Sequence, residues 1–367
     1  MTTVDAMVFE QANRPLVRET LTLSAPTGDQ VLVRMKASGV CHSDLHVLNG
    51  DWPMPAGPIV LGHEGSGIVE AVGPQVTEVS VGDHVVLSWF APCRRCVACL
   101  SGRAWLCHNT RALDNTLPDG STPLHRADGS AVAPFLGVAT FAEATVVPES
   151  AVVKISPEVP FPIAALIGCA VTTGIGAVIH AASVVAGESA VVIGCGGVGQ
   201  AIVIGLRLVG ADPIVAVDLS PERLALVREF GATHTLLGDD PRLVEKIREI
   251  TDGADYAFEA IGRPQSIELL PELIRAGGSA VLVGLTATGA RASFEPAALV
   301  DQGKSIIGCN YGNTVPKVDF ARVAQLYLSG ALPLDKLVGR QIGLDQTNEA
   351  FDDLRSGTGF RTVINYG

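Results

Sequence analysis

The sequence predicts an α/β protein of two domains, a β-rich, barrel-like one followed by a doubly wound parallel sheet. Three observations carry this reading. The chain has 367 residues, more than one ordinary hydrophobic core accommodates. Its first part consists of short β-like runs broken by glycine and proline. From about residue 190 onward, apolar strand candidates alternate with helix signals, the pattern of repeated β-α-β units on a parallel sheet.

In the first part the β-like runs cover residues 6–9, 30–37, 67–72 and 84–87. Gly57-Pro58, Gly73-Pro74 and Gly82-Asp83 supply turns between them. Near Ala164 the texture changes. Residues 190–194 form a continuous apolar strand, followed by a glycine turn and a helix to about Gly210. The next strand is 214–218. Ser220-Pro221-Glu222 then combines an N-cap, a first-turn proline and an early acid, and Gly231 closes the helix they open. A strand at 233–237 precedes a helix opened by Asp240-Pro241, with Leu243, Val244, Ile247 and Ile250 on one face. Further strands follow at 255–259 and 279–284. The tail from about Tyr311 does not extend the alternation and is expected to pack back on the first domain. The expected division is therefore residues 1–170, completed by 310–367, and residues 171–309.

Apolar residues make up 47% of the chain and charged ones 17%, enough to build a core and too apolar for disorder. The net charge of −12 argues against nucleic acid and anionic membrane as partners, since both need clustered Lys and Arg. Residues 191–210 are apolar enough to suggest a membrane segment. Their glycines instead divide them into a strand, a turn and a helix start. No basic segment followed by an apolar stretch opens the chain, so a soluble, cytoplasmic protein is expected.

The chain has eight cysteines, and in a signal-less chain of this size metal ligation or catalysis explains them better than disulfides do. Cys93, Cys96, Cys99 and Cys107 form C-x2-C-x2-C-x7-C. Four thiolates so close in sequence can wrap one tetrahedral Zn²⁺ with no open position, a structural site. Cys41, His63 and Cys169 are scattered, and each alone has the bland reading of a buried thiol or a structural histidine. Together, two thiolates and one neutral imidazole neutralise Zn²⁺ and leave a fourth position for water or substrate, the catalytic kind of zinc site. Cys195 and Cys309 read as small apolar filler.

Gly194-Cys195-Gly196-Gly197-Val198-Gly199 fits G-x-G-x-x-G. It follows a predicted strand and opens a helix, the context in which a dinucleotide pyrophosphate approaches a helix N-terminus. Asp218 lies nineteen residues past Gly199, at the end of the second strand. An acid there accepts hydrogen bonds from the adenosine ribose and repels a 2′-phosphate, which favours NAD over NADP.

These motifs together resemble the zinc-containing medium-chain dehydrogenase/reductase family, close to its long-loop alcohol dehydrogenases. The resemblance covers nearly the whole chain. It includes GHEGSGIVEAVG at residues 62–73, the four-cysteine loop, the glycine fingerprint and the tail around Ser356-Gly357 and Phe360-Arg361-Thr362. It implies a GroES-like catalytic domain, a Rossmann NAD-binding domain and two zinc ions per chain. Cys41, His63 and Cys169 would bind the catalytic zinc. Asp44 would hydrogen-bond the His63 ring, and Glu64 would lie beside the metal; a turn acid and a buried ion-pair partner are the structural alternatives for these two. His42 and Arg361 would stand near the pyrophosphate and Arg223 near the adenosine ribose, with Val198 and Thr173 near the nicotinamide.

The implied chemistry is hydride transfer between a small alcohol or aldehyde and NAD. Zinc would acidify the alcohol hydroxyl. Ser43, two residues after Cys41, would pass the proton through the nicotinamide ribose to His46, which would release it to solvent. Trp89 falls where the family has an aromatic wall, and Phe135, Leu136 and Leu285 are further apolar pocket candidates, pointing to primary aliphatic or aryl alcohols. The long loop from His108 to Thr140, with Arg111, admits a rival substrate, a thiol adduct of formaldehyde. Two further rivals are a nicotinoprotein that never releases NAD and a non-catalytic NAD-binding sensor. The resemblance also implies a homodimer or homotetramer, for which the strand at 279–285 could pair across a two-fold axis.

Overall fold

The computed structural model describes residues 2–55, 57–357 and 361–367, so Phe360 of the tail motif lies outside the described residues. The chain divides into two compact units. The first comprises Met1–Cys169, Val315–Gly330 and Leu334–Gly367. The second comprises Ala170–Thr314 and Ala331–Pro333.

In the first unit, strands Thr2–Phe9, Val17–Leu23, Leu124–His125, Ala131–Pro134 and Ile59–Val60 close into a barrel. Val8, Leu21, Leu23, Phe135 and Phe141 fill its core. A second sheet is built around the long strand Gln30–Gly39. Strand Glu64–Val72 pairs with one edge of it; Ala144–Pro148 and Arg361–Asn365 share the other. Gly39 therefore stands opposite both Glu64 and Val363. The C-terminal tail reaches this place as a strand because Val363 and Ile364 are fully buried there.

In the second unit, six parallel strands run in the order His234–Leu237, Ile214–Asp218, Ala190–Ile193, Ala254–Glu259, Ile274–Leu282, Ser305–Gly308 among the described residues. In sequence order this is 3-2-1-4-5-6, the doubly wound arrangement, with the chain reversing direction outside the first strand. All four residues of Ala190–Ile193 are buried, as expected of a central parallel strand. The helix predicted after Ser220 starts at Pro221, and the Ser220 side chain accepts from the Arg223 N–H. The helix expected from Asp240-Pro241 begins one turn later, at Leu243, because Asp240 first makes a turn that takes the Leu243 N–H.

Residues 191–210 resolve into strand Ala190–Ile193 and helix Gly197–Val209. Among the described residues one helical run, Phe161–Ala182, is long and apolar enough to cross a membrane, and 89% of its most apolar window is buried within the protein, as in a core helix. One expectation is corrected. The strand near 279–285 cannot add a partner across a two-fold axis. Both its edges are used within the chain, by Ala254–Glu259 on one side and Ser305–Gly308 on the other.

Candidate metal centres and nucleotide loop

Strand Gln30–Gly39 delivers Cys41 to the start of helix His42–Asn49; Glu64 opens the neighbouring strand and His63 immediately precedes it. Cys169 arrives on the helical turn Ile167–Val171. The ligand atoms of Cys41, His63, Glu64 and Cys169 all lie within 4.8 Å of one another, and all four residues are buried. A side chain at position 39 would collide with the Glu64 carboxylate, its Cβ only 2.0 Å from Oε2, so the glycine makes the room.

His63 Nδ1 lies 3.3 Å from Asp44 Oδ1 and 3.2 Å from Oδ2; the same carboxylate accepts the Gly62 N–H at 2.9 Å. A carboxylate only accepts, so Nδ1 carries the hydrogen, and in the neutral ring Nε2 is the nitrogen with the lone pair. That Nε2 and Glu64 Oε2 are buried without a hydrogen-bond partner. Such atoms cost about 1–3 kcal/mol each when left so, and a cation among the four ligands satisfies both. Arg361, whose side chain is only 7% exposed, forms an ion pair with Glu64.

The electrostatics favour the metal-binding form at Cys41, while Cys169, Glu64 and His63 are each shifted toward the protonated form that an incoming cation would displace. A hydrogen bond from the Cys169 thiol, helped by Arg361 and His63, holds Cys41 well below the usual thiol range. Burial lifts Glu64 to about 7 against the pull of Arg361. Burial works against a charged His63, but Asp44 and Cys41 outweigh it and raise it well above the ordinary imidazole value. The thiolate is the metal-binding form of cysteine.

Cys93, Cys96, Cys99 and Cys107 also have their sulfurs within 4.8 Å of one another. Cys96 Sγ is 3.5 Å from Cys99 Sγ and 3.9 Å from Cys107 Sγ. A disulfide would need about 2.05 Å, whereas four sulfurs about 2.3 Å from a tetrahedral Zn²⁺ stand roughly 3.8 Å apart. Burial works against the Cys93 thiolate, but the N–H groups of Arg95 and Cys96 bring it down to about 6. The donor set and spacing fit a closed zinc site. Cys195 and Cys309 belong to neither cluster; burial pushes Cys309 up to about 12 and Cys195 further in the same direction.

The glycine loop of the second unit joins strand Ala190–Ile193 to helix Gly197–Val209. A Cβ on Gly199 would stand 1.8 Å from the Gly194 carbonyl oxygen, so only glycine allows helix and strand to approach this closely. A Cβ on Gly196 would meet nothing within 4 Å, leaving the loop's outer side open to a bulky group. Asp218 Oδ2 accepts the Cys195 N–H at 2.7 Å and Oδ1 accepts the Ser220 N–H at 2.9 Å. The Arg223 guanidinium is 4.0 Å from the same carboxylate. Val198 is half-buried on the first turn of the helix, and Thr173 is buried on helix Thr172–Gly176.

The remaining predicted residues fall as follows. Ser43 Oγ is 3.7 Å from Cys41 Sγ. His42 is exposed beside it. His46 Nδ1 meets Asp51 Oδ2 at 2.9 Å. The Phe135 ring lies edge-on to His63, centroids 5.9 Å apart. Leu136 follows in left-handed backbone (φ 50), its N–H held by Asn115 Oδ1 at 2.8 Å. Trp89 is half-buried, edge-on to Phe90. Leu285 is exposed on the second unit. Arg111 is exposed and paired with Asp114 at 3.0 Å. Sequence reasoning missed the Arg361–Glu64 pair, the Asp51 contact and the Asn115 clamp. The alternative it weighed for Glu64, a buried ion-pair partner, pointed toward the first of them.

Comparison with known proteins agrees with this geometry. Residues 27–157 match the alcohol dehydrogenase GroES-like domain and residues 197–329 match the zinc-binding dehydrogenase domain. An S-(hydroxymethyl)glutathione dehydrogenase of Paracoccus denitrificans is 36% identical, over 98% of this chain and 99% of that protein. Among solved structures, an alcohol dehydrogenase zinc-binding domain protein from Burkholderia ambifaria is 38% identical with TM-score 0.94, covering 99% of each chain. Benzyl alcohol dehydrogenase from Acinetobacter calcoaceticus is 34% identical with TM-score 0.92, covering 100% of this chain and 99% of that one.

Proposed function

This chain belongs to the zinc-containing medium-chain alcohol dehydrogenase family, and we propose that within it the protein reversibly oxidises primary aliphatic or aryl alcohols to aldehydes with NAD. The observation that carries the reading is the buried convergence of Cys41, His63 and Cys169, with His63 Nε2 buried and without a hydrogen-bond partner. When bound, zinc supplies the Lewis acidity that makes an alcohol hydroxyl more acidic, and NAD supplies the hydride acceptor.

The chain's own residues do the rest. Asp44 holds the His63 ring in the tautomer and orientation that ligation needs. Arg361 holds the Glu64 carboxylate beside the cluster, and Cys41, His63 and Cys169 would hold the zinc ion, the two thiolates balancing its charge. Ser43 Oγ, close to Cys41 Sγ, takes the hydroxyl proton as its own hydrogen passes through the nicotinamide ribose to His46, which releases a proton to solvent. Phe135, Leu136 and Trp89 give the alcohol an apolar wall. On the second unit the glycine loop takes the pyrophosphate, and Asp218 with Arg223 takes the adenosine ribose. The active species is proposed to be a homodimer or homotetramer.

A second reading has an observation in its favour: relatives at about the same identity carry the name S-(hydroxymethyl)glutathione dehydrogenase. Against it, Arg111, the candidate anchor for an adduct's carboxylate, is exposed and already paired with Asp114. The deciding experiment measures zinc content and NADH formation with benzyl alcohol, ethanol and S-(hydroxymethyl)glutathione. We expect two zinc ions per chain and the highest kcat/KM with benzyl alcohol. Preference for the adduct would install the second reading. Two zinc ions with no turnover of any substrate would make the protein a sensor.

A further inference from the structure

His46 stands in a local structure that the proton route alone does not explain. It lies in the last turn of helix His42–Asn49, which ends at Gly50 in left-handed backbone (φ 78). The His46 carbonyl then accepts the N–H groups of Asp51, at 2.9 Å, and Trp52, at 3.3 Å, so the chain folds back over the helix end. This brings two side chains onto the imidazole. Asp51 Oδ2 meets Nδ1 at 2.9 Å, and the Trp52 ring stacks on the His46 ring with centroids 4.8 Å apart and planes 22° from parallel. The histidine is gripped at one nitrogen and on one face, while its side chain remains 21% exposed.

A helix cap needs only the backbone part of this. Gly50 and the three N–H groups on the His46 carbonyl already close the helix. The side-chain part acts on the imidazole. An ionised carboxylate has no hydrogen to give, so in the neutral ring Nδ1 carries the hydrogen and Nε2 is the base. The stack restricts rotation of the ring about its Cβ–Cγ bond.

We propose that Asp51 and Trp52 are positioning residues for His46: Asp51 fixes the tautomer, Trp52 fixes the ring plane, and Nε2 is thereby the atom that receives the substrate's proton. This rests on the reading of His46 as the end of the proton route. The proton gained at Nε2 gives an imidazolium whose charge faces the Asp51 carboxylate. It leaves from Nε2 to water, and the Nδ1 hydrogen stays where it is throughout.

The test compares Asp51→Asn, Asp51→Glu, Trp52→Ala and His46→Gln in the zinc-loaded protein, each checked for two zinc ions per chain and wild-type thermal unfolding. Two readouts are used. The first is steady-state kinetics with benzyl alcohol, with and without added imidazole. General-base catalysis is worth about 10²–10⁴-fold, so His46→Gln should lose at least about a hundredfold in kcat and regain much of it with imidazole. Asp51→Asn should lose about tenfold in kcat with KM within about twofold, a share of that same general-base contribution, and Asp51→Glu should restore most of it. Trp52→Ala should lose less than Asp51→Asn. The second readout does not depend on turnover: ¹⁵N shifts of labelled histidine, assigned by the signal that His46→Gln removes, should show the Nδ1–H tautomer in the wild type and a mixture in Asp51→Asn. A silent Asp51→Asn, in kcat and in tautomer, beside a crippled His46→Gln would overturn the positioning role while sparing the proton route. An unimpaired His46→Gln would overturn both.

Discussion

The two zinc sites of this protein are built in opposite ways. The four-cysteine site is local: its ligands lie within fifteen consecutive positions, on a loop whose Val97 and Leu100 are more than two-thirds exposed. The Cys41–His63–Cys169 site is assembled from the ends of two paired strands and a helical turn, and every ligand is buried. In the first, the metal replaces a core the loop does not have. In the second, the fold exists first and holds the ligands in place. The local site should therefore govern stability and the assembled site chemistry.

The largest expected effect separates them directly. His63→Ala should lose one of two zinc ions and at least about a thousandfold in kcat, equivalent to about 4 kcal/mol of transition-state stabilisation. Its unfolding midpoint should move only modestly. Cys96→Ser should also lose one zinc ion, but lower the midpoint of the unit that holds it by roughly 5–10 °C, as about 2–3 kcal/mol does in a domain of about 200 residues. The molecules that stay folded should turn over near the wild-type rate. Zinc analysis, calorimetry and turnover per folded molecule check the pair. If Cys96→Ser silenced folded enzyme, or His63→Ala unfolded it, the division of labour would be wrong.

The same contrast explains what could be read before folding. C-x2-C-x2-C-x7-C and Gly194 to Gly199 carry their geometry in their spacing, because all the residues involved lie within a turn or two of one another. Ser220-Pro221 marked its helix to the residue for the same reason. Cys41, His63 and Cys169 were legible only through family resemblance, since no local rule brings a strand end and a distant helical turn together. The resemblance offers Arg361 as a cation for the pyrophosphate, but no local pattern in the sequence announces its pairing with Glu64, which arises because the tail strand pairs beside Gly39. Only strand register, a property of the folded sheet, places that arginine. The helix Pro264–Leu273 went unread as well: Pro271 lies inside it, and proline in a helix interior is an unfavourable signal that tertiary packing of Ile267 and Leu270 overrides.

Asp44 sharpens the comparison from inside the assembled site. It is fully buried and touches the imidazole and the Gly62 N–H. Asp44→Ala should weaken zinc binding there by about 10–100-fold, the usual cost of removing a ligand's hydrogen-bond partner. The four-cysteine site should keep its affinity. Chelator competition resolves the two. Equal weakening at both sites would mean that Asp44 supports the fold at large rather than the His63 ring.

The smallest effect concerns the local motif of the second unit. Asp218 accepts the Cys195 and Ser220 N–H groups and stands 4.0 Å from Arg223. It is thus both a brace for the glycine loop and, in the proposed function, the acid that selects NAD. Asp218→Asn keeps an oxygen for the Cys195 N–H while removing the charge that repels a 2′-phosphate. The ratio of kcat/KM for NAD to that for NADP should fall by about tenfold, close to 1.4 kcal/mol. Arg223 should carry much of the new affinity, so Arg223→Ala in the same background should reverse it. An unchanged ratio would reduce Asp218 to the brace alone. The preference for NAD would then have to come from the shape of the loop, which Gly196 leaves open on its outer side.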